Sequence, residues 1–180
     1  MKIKIYNKFS QEILQIWKKL ENNGHSNVFQ KCDWNQNWYR TVGKPVHQIQ
    51  LFIVSVSFEN KVEAILPLGI LKNSGIKKLQ WLGGIHSDYM GPLIGSSSDI
   101  FLTNFEAIWS EILSSLPEFD LLYLDKQIPN IGSHVNPFFY MKDSKKITNV
   151  HQAHFRGSWE NYKDGISKKV LADTARQRKR

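Results

Sequence analysis

Two tight turns between three apolar runs constrain this chain more than any other feature. Ile49–Ser57 is rich in β-branched and aromatic residues, Val62–Leu71 and Ile76–Leu82 follow, and the connections are only Glu59-Asn60 and Asn73-Ser74-Gly75. Both connections are hairpin signals. Neither is long enough for a crossover to a parallel strand, so the three runs pair as an antiparallel meander. Pro67, inside the middle run, cannot donate to a ladder and marks an edge, a bulge or a break there.

Helical periodicity flanks the meander. After a short strand at Lys2–Tyr6, Ser10 caps a helix in which Ile13, Ile16, Trp17 and Leu20 share a face, and Glu21 to Gly24 stops it, with Gly24 as a left-handed cap. A second helix is expected from Asp33 to Val42, closed by Gly43 and Pro45. Its Trp34 and Trp38, with the nearby Phe29, read as packing residues. Past the meander, Ser98 or Asp99 caps one long amphipathic helix running through Phe101, Phe105, Trp109 and Leu113 until Pro117. Phe119–Leu124 is almost continuously apolar, as a strand covered on both faces should be. A further strand is expected around Thr148–Phe155, with helix starts at Ser158 and Ser167. The whole describes an α/β domain organised around one mixed sheet. The last helix has no stop signal before Arg180, which reads as an incomplete polypeptide.

Charge narrows the partners. The chain of 180 residues has a net charge of +8, but residues 168–180 carry six basic side chains against Asp173. The body is nearly balanced, so nucleic-acid binding is not expected of it. The basic tail has three readings: a solvated helix face, a non-specific phosphate contact, or arginine forks for an acidic ligand. No apolar run approaches the ~18 residues of a membrane span, and the first residues lack a secretory h-region, so a cytoplasmic protein is the plain reading. Cys32 is the one cysteine, which excludes an internal disulfide.

The segment Gln80-Trp81-Leu82-Gly83-Gly84-Ile85-His86-Ser87-Asp88-Tyr89 concentrates the groups that can do chemistry. Its glycines do not form a phosphate-cradling GxGxxG or GxxxxGK[ST] loop. The start echoes the QxxGxG loop of acetyl-CoA enzymes, but Ile85 takes the last glycine's place and no helix follows directly, so the match reads as chance. His86 and Asp88 would make a base and its orienting carboxylate only in an extended chain, and the paired glycines argue against one. His86, Asp88, His134, His151 and His154 lack ligand spacing, and no metal is expected. There is no GxSxG elbow. Asp88 and Tyr89 either hydrogen-bond the loop backbone or contact a substrate.

Four segments, in this order, resemble the N-terminal half of the CelD-like acetyltransferases, named for cellulose biosynthesis. They are Phe29-Gln30 with Trp34 and Trp38; Ala64-Ile65-Leu66-Pro67-Leu68; Leu82-Gly83-Gly84 with Ser87-Asp88-Tyr89 and Gly91-Pro92-Leu93; and Ser158-Trp159-Glu160-Asn161-Tyr162, then Ser167-Lys168-Lys169 and the Arg176 to Arg180 run. Val170 departs from the pattern, standing where an arginine is expected. That family belongs to the GNAT acyltransferase superfamily and is related to the FemAB-type aminoacyl transferases. The resemblance implies a GNAT-like mixed, largely antiparallel sheet flanked by helices, in the N-terminal half of a two-domain protein. Residues 1–156 would form that half, and 157–180 would begin a missing C-terminal GNAT domain.

It further implies an acyltransferase that moves an acyl group from acyl-CoA (acetyl-CoA) to an amine or hydroxyl of a small-molecule or saccharide acceptor, in polysaccharide or cell-envelope biosynthesis. The coenzyme would sit in the missing domain and not on this chain. Acceptor-side contacts are expected from Trp81, Asp88 and Tyr89, with the catalytic residues unassigned. Two other readings stand beside it. One is a FemAB-like transferase using an aminoacyl-tRNA donor. The other is a non-catalytic domain that binds a saccharide or nucleotide-sugar on Trp81 and Tyr89.

Overall fold

A computed structural model describes residues 1–96, 98–147 and 157–178. The expected strand at Thr148–Phe155, with His151 and His154, lies outside the described residues. The chain falls into two compact units, Met1–Lys145 and Lys146–Arg180.

The first unit contains, in order, β1 (Lys2–Tyr6), α1 (Gln11–Asn23), β2 (Gly24–His25), α2 (Cys32–Trp38), β3 (Gln50–Phe58), β4 (Lys61–Asn73), β5 (Ile76–Trp81), β6 (Leu93–Gly95), α3 (Asp99–Thr103), α4 (Phe105–Ser115), β7 (Leu121–Tyr123), and the small hairpin β8 (Asn130–Ile131) and β9 (His134–Val135). The main sheet runs β1-β3-β4-β5-β7, antiparallel except for the last pair, where β5 and β7 are parallel. It is a mixed, largely antiparallel sheet flanked by helices.

The meander follows from its turns. Glu59 and Asn60 take φ of 47° and 64°, and Ser74 and Gly75 take 50° and 85°. Positive φ at both central residues gives the twist that a right-handed hairpin needs. Along β3 and β4 the side chains alternate between two cores. Phe52, Val54, Val56, Ala64, Leu66 and Leu68 face the core built with Phe101, Ile108, Trp109 and Ile112 of α3 and α4. Leu51, Ile53 and Ile65 face the other, built with Ile13, Trp17 and Leu20 of α1 and Cys32 and Trp38 of α2.

Pro67 sits where β4 changes neighbours. On one edge β4 pairs with β6 at Ala64 and Ile65, then with β5 from Leu68 onward. The Pro67 carbonyl accepts the Leu82 N–H at 2.9 Å. In extended chain a residue's nitrogen and carbonyl point to the same side, so the missing N–H faces this break and the β3 ladder loses nothing.

A bulge redirects one carboxylate. Val56 pairs with Ala64 and Ser57 with Val62, which leaves Glu63 as the extra residue. Glu63 is only 3% exposed, and its Oε2 accepts the Phe101 N–H at 3.1 Å. Ser98 Oγ donates to the Glu63 carbonyl at 2.7 Å instead of capping its own helix. The cap of α3 therefore comes from β4.

Three expectations need correction. The long helix is two, broken at Asn104, whose side chain bonds back to the Ile100 carbonyl. Gly24 is not a left-handed cap: with φ −127° and ψ 175° it is extended and opens β2, which pairs with β6. The Phe119–Leu124 run is not covered on both faces. β7 pairs with β5, and Leu121 and Tyr123 are 47% and 42% exposed, because this strand is at the edge of the path.

Cys32 is buried, its thiol pushed up to about 12 by loss of solvation and then by the nearby charges of Glu21 and Asp33. Because the folded pKa is raised, the contribution to stability is complete below the unfolded thiol's pKa and is lost as pH rises toward 12. Native protein is expected to resist iodoacetamide at neutral pH and to react on unfolding. Its unfolding free energy should decline from about pH 9 upward, more than in Cys32→Ala, as urea titrations at stepped pH would show. Rapid alkylation of native protein at pH 7 would contradict the burial.

The second unit contains α5 (Trp159–Asp164) and α6 (Lys168–Arg178). Both starts follow the expected caps: Ser158 Oγ accepts the Asn161 N–H at 3.3 Å and Ser167 Oγ the Val170 N–H at 3.4 Å. Trp159 stacks on Tyr162 with ring centres 5.4 Å apart.

Candidate functional site

The parallel pair β5–β7 ends its ladder at Gln80 and Tyr123. Beyond that point the two strands part, and the loops at their carboxyl ends meet. In α/β sheets, this end of parallel strands is where ligands collect. The loop after β5, residues 82–92, carries the groups singled out in the sequence.

That loop is braced from two sides. From the β7 side, Lys126 donates through Nζ to the Gly84 carbonyl at 3.0 Å and the Ser87 carbonyl at 2.7 Å, and its own carbonyl accepts the Met90 N–H at 2.9 Å. From the α2 side, Trp34 Nε1 donates to Ser87 Oγ at 3.0 Å and Trp38 Nε1 to His86 Nδ1 at 3.2 Å. Gln30, 2% exposed, donates to the Pro92 carbonyl at 2.6 Å while accepting the Asn27 N–H at 3.0 Å. A loop held at so many points presents its side chains in fixed directions.

The glycine pair makes this path possible. Gly83 has φ of 108° and ψ of −35°. A Cβ there would also run into Ser87 Oγ. Gly83 thus lets Ser87 fold back beneath the loop, where it is fully buried and takes the Trp34 hydrogen bond.

The expected site residues separate. Asp88 is exposed and Tyr89 half-buried at the loop tip, with Tyr89 edge-on to Phe29 at 6.2 Å. Trp81 is not beside them. It is 1% exposed, sits with Leu79 in the core shared with α4, and packs edge-on against Phe138 at 5.1 Å. The alternation of β5 sends Leu79 and Trp81 to that face and Gln80 to the other. Trp81 is therefore no surface contact. His86 is exposed with Nδ1 accepting from Trp38, which places the proton of its neutral ring on Nε2. Among the described residues no cluster of His, Cys, Asp and Glu is arranged to hold a metal ion.

What the sequence reading missed lies on α2. Trp38 is core, 6% exposed, as expected. Trp34 is only half-buried and lines a depression of ≈ 470 Å³ with Trp38, Val42, Asn37, Thr41 and His86. The Asn27-x-x-Gln30 spacing was the available signal for the bracing at Gln30, since a cap followed three residues later by Gln is a capping box. Lys126 had no signal: its partners lie 42 and 39 residues earlier.

No family model and no curated protein matches the chain. Among solved structures, the crystal structure of an aminoglycoside antibiotic 6'-N-acetyltransferase from Acinetobacter haemolyticus is similar to it, at 13% sequence identity and a TM-score of 0.45, with 86% of this chain and 100% of that chain covered.

Proposed function

We propose that this chain is the acceptor-side portion of an acyl-CoA-dependent acyltransferase of the GNAT type, acting on an amine or hydroxyl. What supports the reading is one arrangement. Antiparallel strands β1-β3-β4-β5 lead through a helical segment to a parallel strand β7, and Asp88 and Tyr89 stand at the carboxyl end of that parallel pair. This is the sheet that the order of the four sequence motifs implies. In the proposal Asp88 accepts a hydrogen bond from the acceptor's amine or hydroxyl and favours a cationic amine by charge. Tyr89 fixes the acceptor's orientation, and Trp81 supports the strand end from inside the core.

Two features speak against a coenzyme site beside β5 in this chain. A phosphate chain wants free backbone N–H groups at a helix start. Helix α3, which follows β6, has Asp99 in its first turn, and its Phe101 N–H is taken by the buried Glu63 carboxylate. Phosphates there would meet two negative groups. The parting between β5 and β7 is also crossed by the chain's own Met90 N–H to Lys126 carbonyl bond. The proposal accordingly gives acyl-CoA to a further domain.

The test is calorimetry and turnover together. Coenzyme A titrated into the 180-residue chain is expected to give no binding heat, and the chain alone to release no thiol from acetyl-CoA. In the two-domain polypeptide that the proposal requires, Asp88→Asn and Tyr89→Phe should each raise the acceptor KM about tenfold, as losing one hydrogen bond does, and leave the acetyl-CoA KM unchanged. Micromolar binding of coenzyme A to this chain, or an unchanged acceptor KM in both variants, would overturn the reading.

A further inference from the structure

The depression on α2 is lined by groups of two kinds. Its apolar lining is Trp34, Trp38 and Val42, with the exposed Val28 at the edge. Its rim is polar and, apart from Lys31 and Asp33, uncharged: Asn37, Thr41 and His86. The formal charges of Lys31 and Asp33 cancel in the lining, and Asp33 is also paired with Lys18 at 3.1 Å. Its volume of ≈ 470 Å³ falls within the ~300–1,000 Å³ of small-ligand sites.

The two indoles are fixed by their own N–H groups. Trp34 is tied to Ser87 Oγ and Trp38 to His86 Nδ1, which leaves ring surface, and not a donor, to face the depression. The same bond to Trp38 leaves His86 Nε2–H as the free donor of an exposed imidazole on the rim. Thr41 Oγ donates to the Asn37 carbonyl at 2.8 Å, so what its hydroxyl offers outward is an acceptor. The helix is also widened here. Tyr39–Gly43 forms a π-turn, with the Lys44 N–H bonded to the Tyr39 carbonyl at 2.8 Å, a local irregularity that recurs at binding sites.

We propose that this depression binds a pyranose sugar ring, stacked on Trp34 and hydrogen-bonded by His86 Nε2–H. A sugar ring has one face of C–H groups for the indole and a periphery of hydroxyls that both give and accept hydrogen bonds. His86, Asn37 and Thr41 supply that mixture. A purely aromatic ligand would cover the apolar lining but strip water from the rim without replacing its hydrogen bonds, which costs affinity. The site needs no acyl donor, and neither Asp88 nor Tyr89 is among its lining residues.

Tryptophan fluorescence and saturation-transfer NMR on the full chain provide the test, with methyl glucoside, methyl N-acetylglucosaminide and benzyl alcohol as probes. Saturable quenching is expected from at least one glycoside and not from benzyl alcohol. Trp34→Ala should abolish it, and His86→Ala should weaken it about tenfold, the loss of one hydrogen bond. Trp34→Ala also removes the tie to Ser87, so Asn37→Arg serves as the second variant. It closes the mouth from an exposed helical position and should abolish binding at an unchanged melting temperature. Asp88→Asn should bind the glycoside as the parent does, which separates this proposal from that on the acceptor wall. The proposal is overturned if neither glycoside gives saturable quenching or if benzyl alcohol binds in preference. It is equally overturned if glycoside binding survives both Trp34→Ala and Asn37→Arg, or is lost in Asp88→Asn.

Discussion

Phe138→Ala is expected to lower the unfolding free energy by roughly 4 kcal/mol. Phe138 is 1% exposed and meets three rings edge-on: Phe105 at 4.7 Å, Trp109 at 5.0 Å and Trp81 at 5.1 Å. Truncation leaves a cavity between α4 and the end of β5, and it removes aromatic contacts worth about 0.5–1.5 kcal/mol each beyond their area. The ring is seated by the short helical turn Pro137–Tyr140, whose start is capped by Asn136 accepting the Phe138 N–H at 3.1 Å. Urea titration should show a lower midpoint at unchanged slope. A loss of only about 1 kcal/mol would mean that the segment after β7 does not unfold with the sheet.

Gly83→Ala is expected to cost roughly 3 kcal/mol and to release the loop. Two effects of about 1–3 kcal/mol each combine: a non-glycine residue at φ of 108°, and a methyl group driven into the buried Ser87 hydroxyl. Since Ser87 holds Trp34, the indole N–H of Trp34 should lose its protected, hydrogen-bonded NMR signal while that of Trp17, bonded to the Gln30 carbonyl at 3.0 Å, keeps its own. If Gly83→Ala melts with the parent and both indole signals persist, then the loop's path does not depend on this glycine.

Local chemistry decided what could be read from the sequence. The meander was legible within a residue or two, because its turn residues need positive φ and advertise it. Helix α1 was legible because its apolar stripe has one period throughout. The break at Asn104 and the origin of the α3 cap were not. The cap depends on Glu63, 38 residues earlier and aimed by a bulge, and no local pattern encodes that.

The candidate site divides in the same way. Asp88 and Tyr89 follow a glycine pair and could be placed on a loop from composition alone. Trp81, one residue before that loop, is decided by strand parity, and being opposite Leu68 it goes inward with the leucines. Trp34 and Trp38 share a helical face by spacing, yet they are about 6 Å apart along the axis. That is enough to put one over the core and the other over the loop, and the choice rests on where Ser87 and His86 arrive.

The change of partner along β4 has a consequence for variation. Trp81 leaves the sheet opposite Leu68 and Leu93 rejoins it opposite Ile65, on the same strand. The two ends of the excursion are thus anchored three residues apart, about 10 Å at the rise of an extended chain. An insertion or a transplanted sequence between Leu82 and Pro92 changes the length of an Ω-shaped detour and leaves the register of every strand where it was. Recognition chemistry at the exposed positions of that detour, Ile85 and Asp88, can be exchanged while Gly83 and the buried Ser87 keep its path.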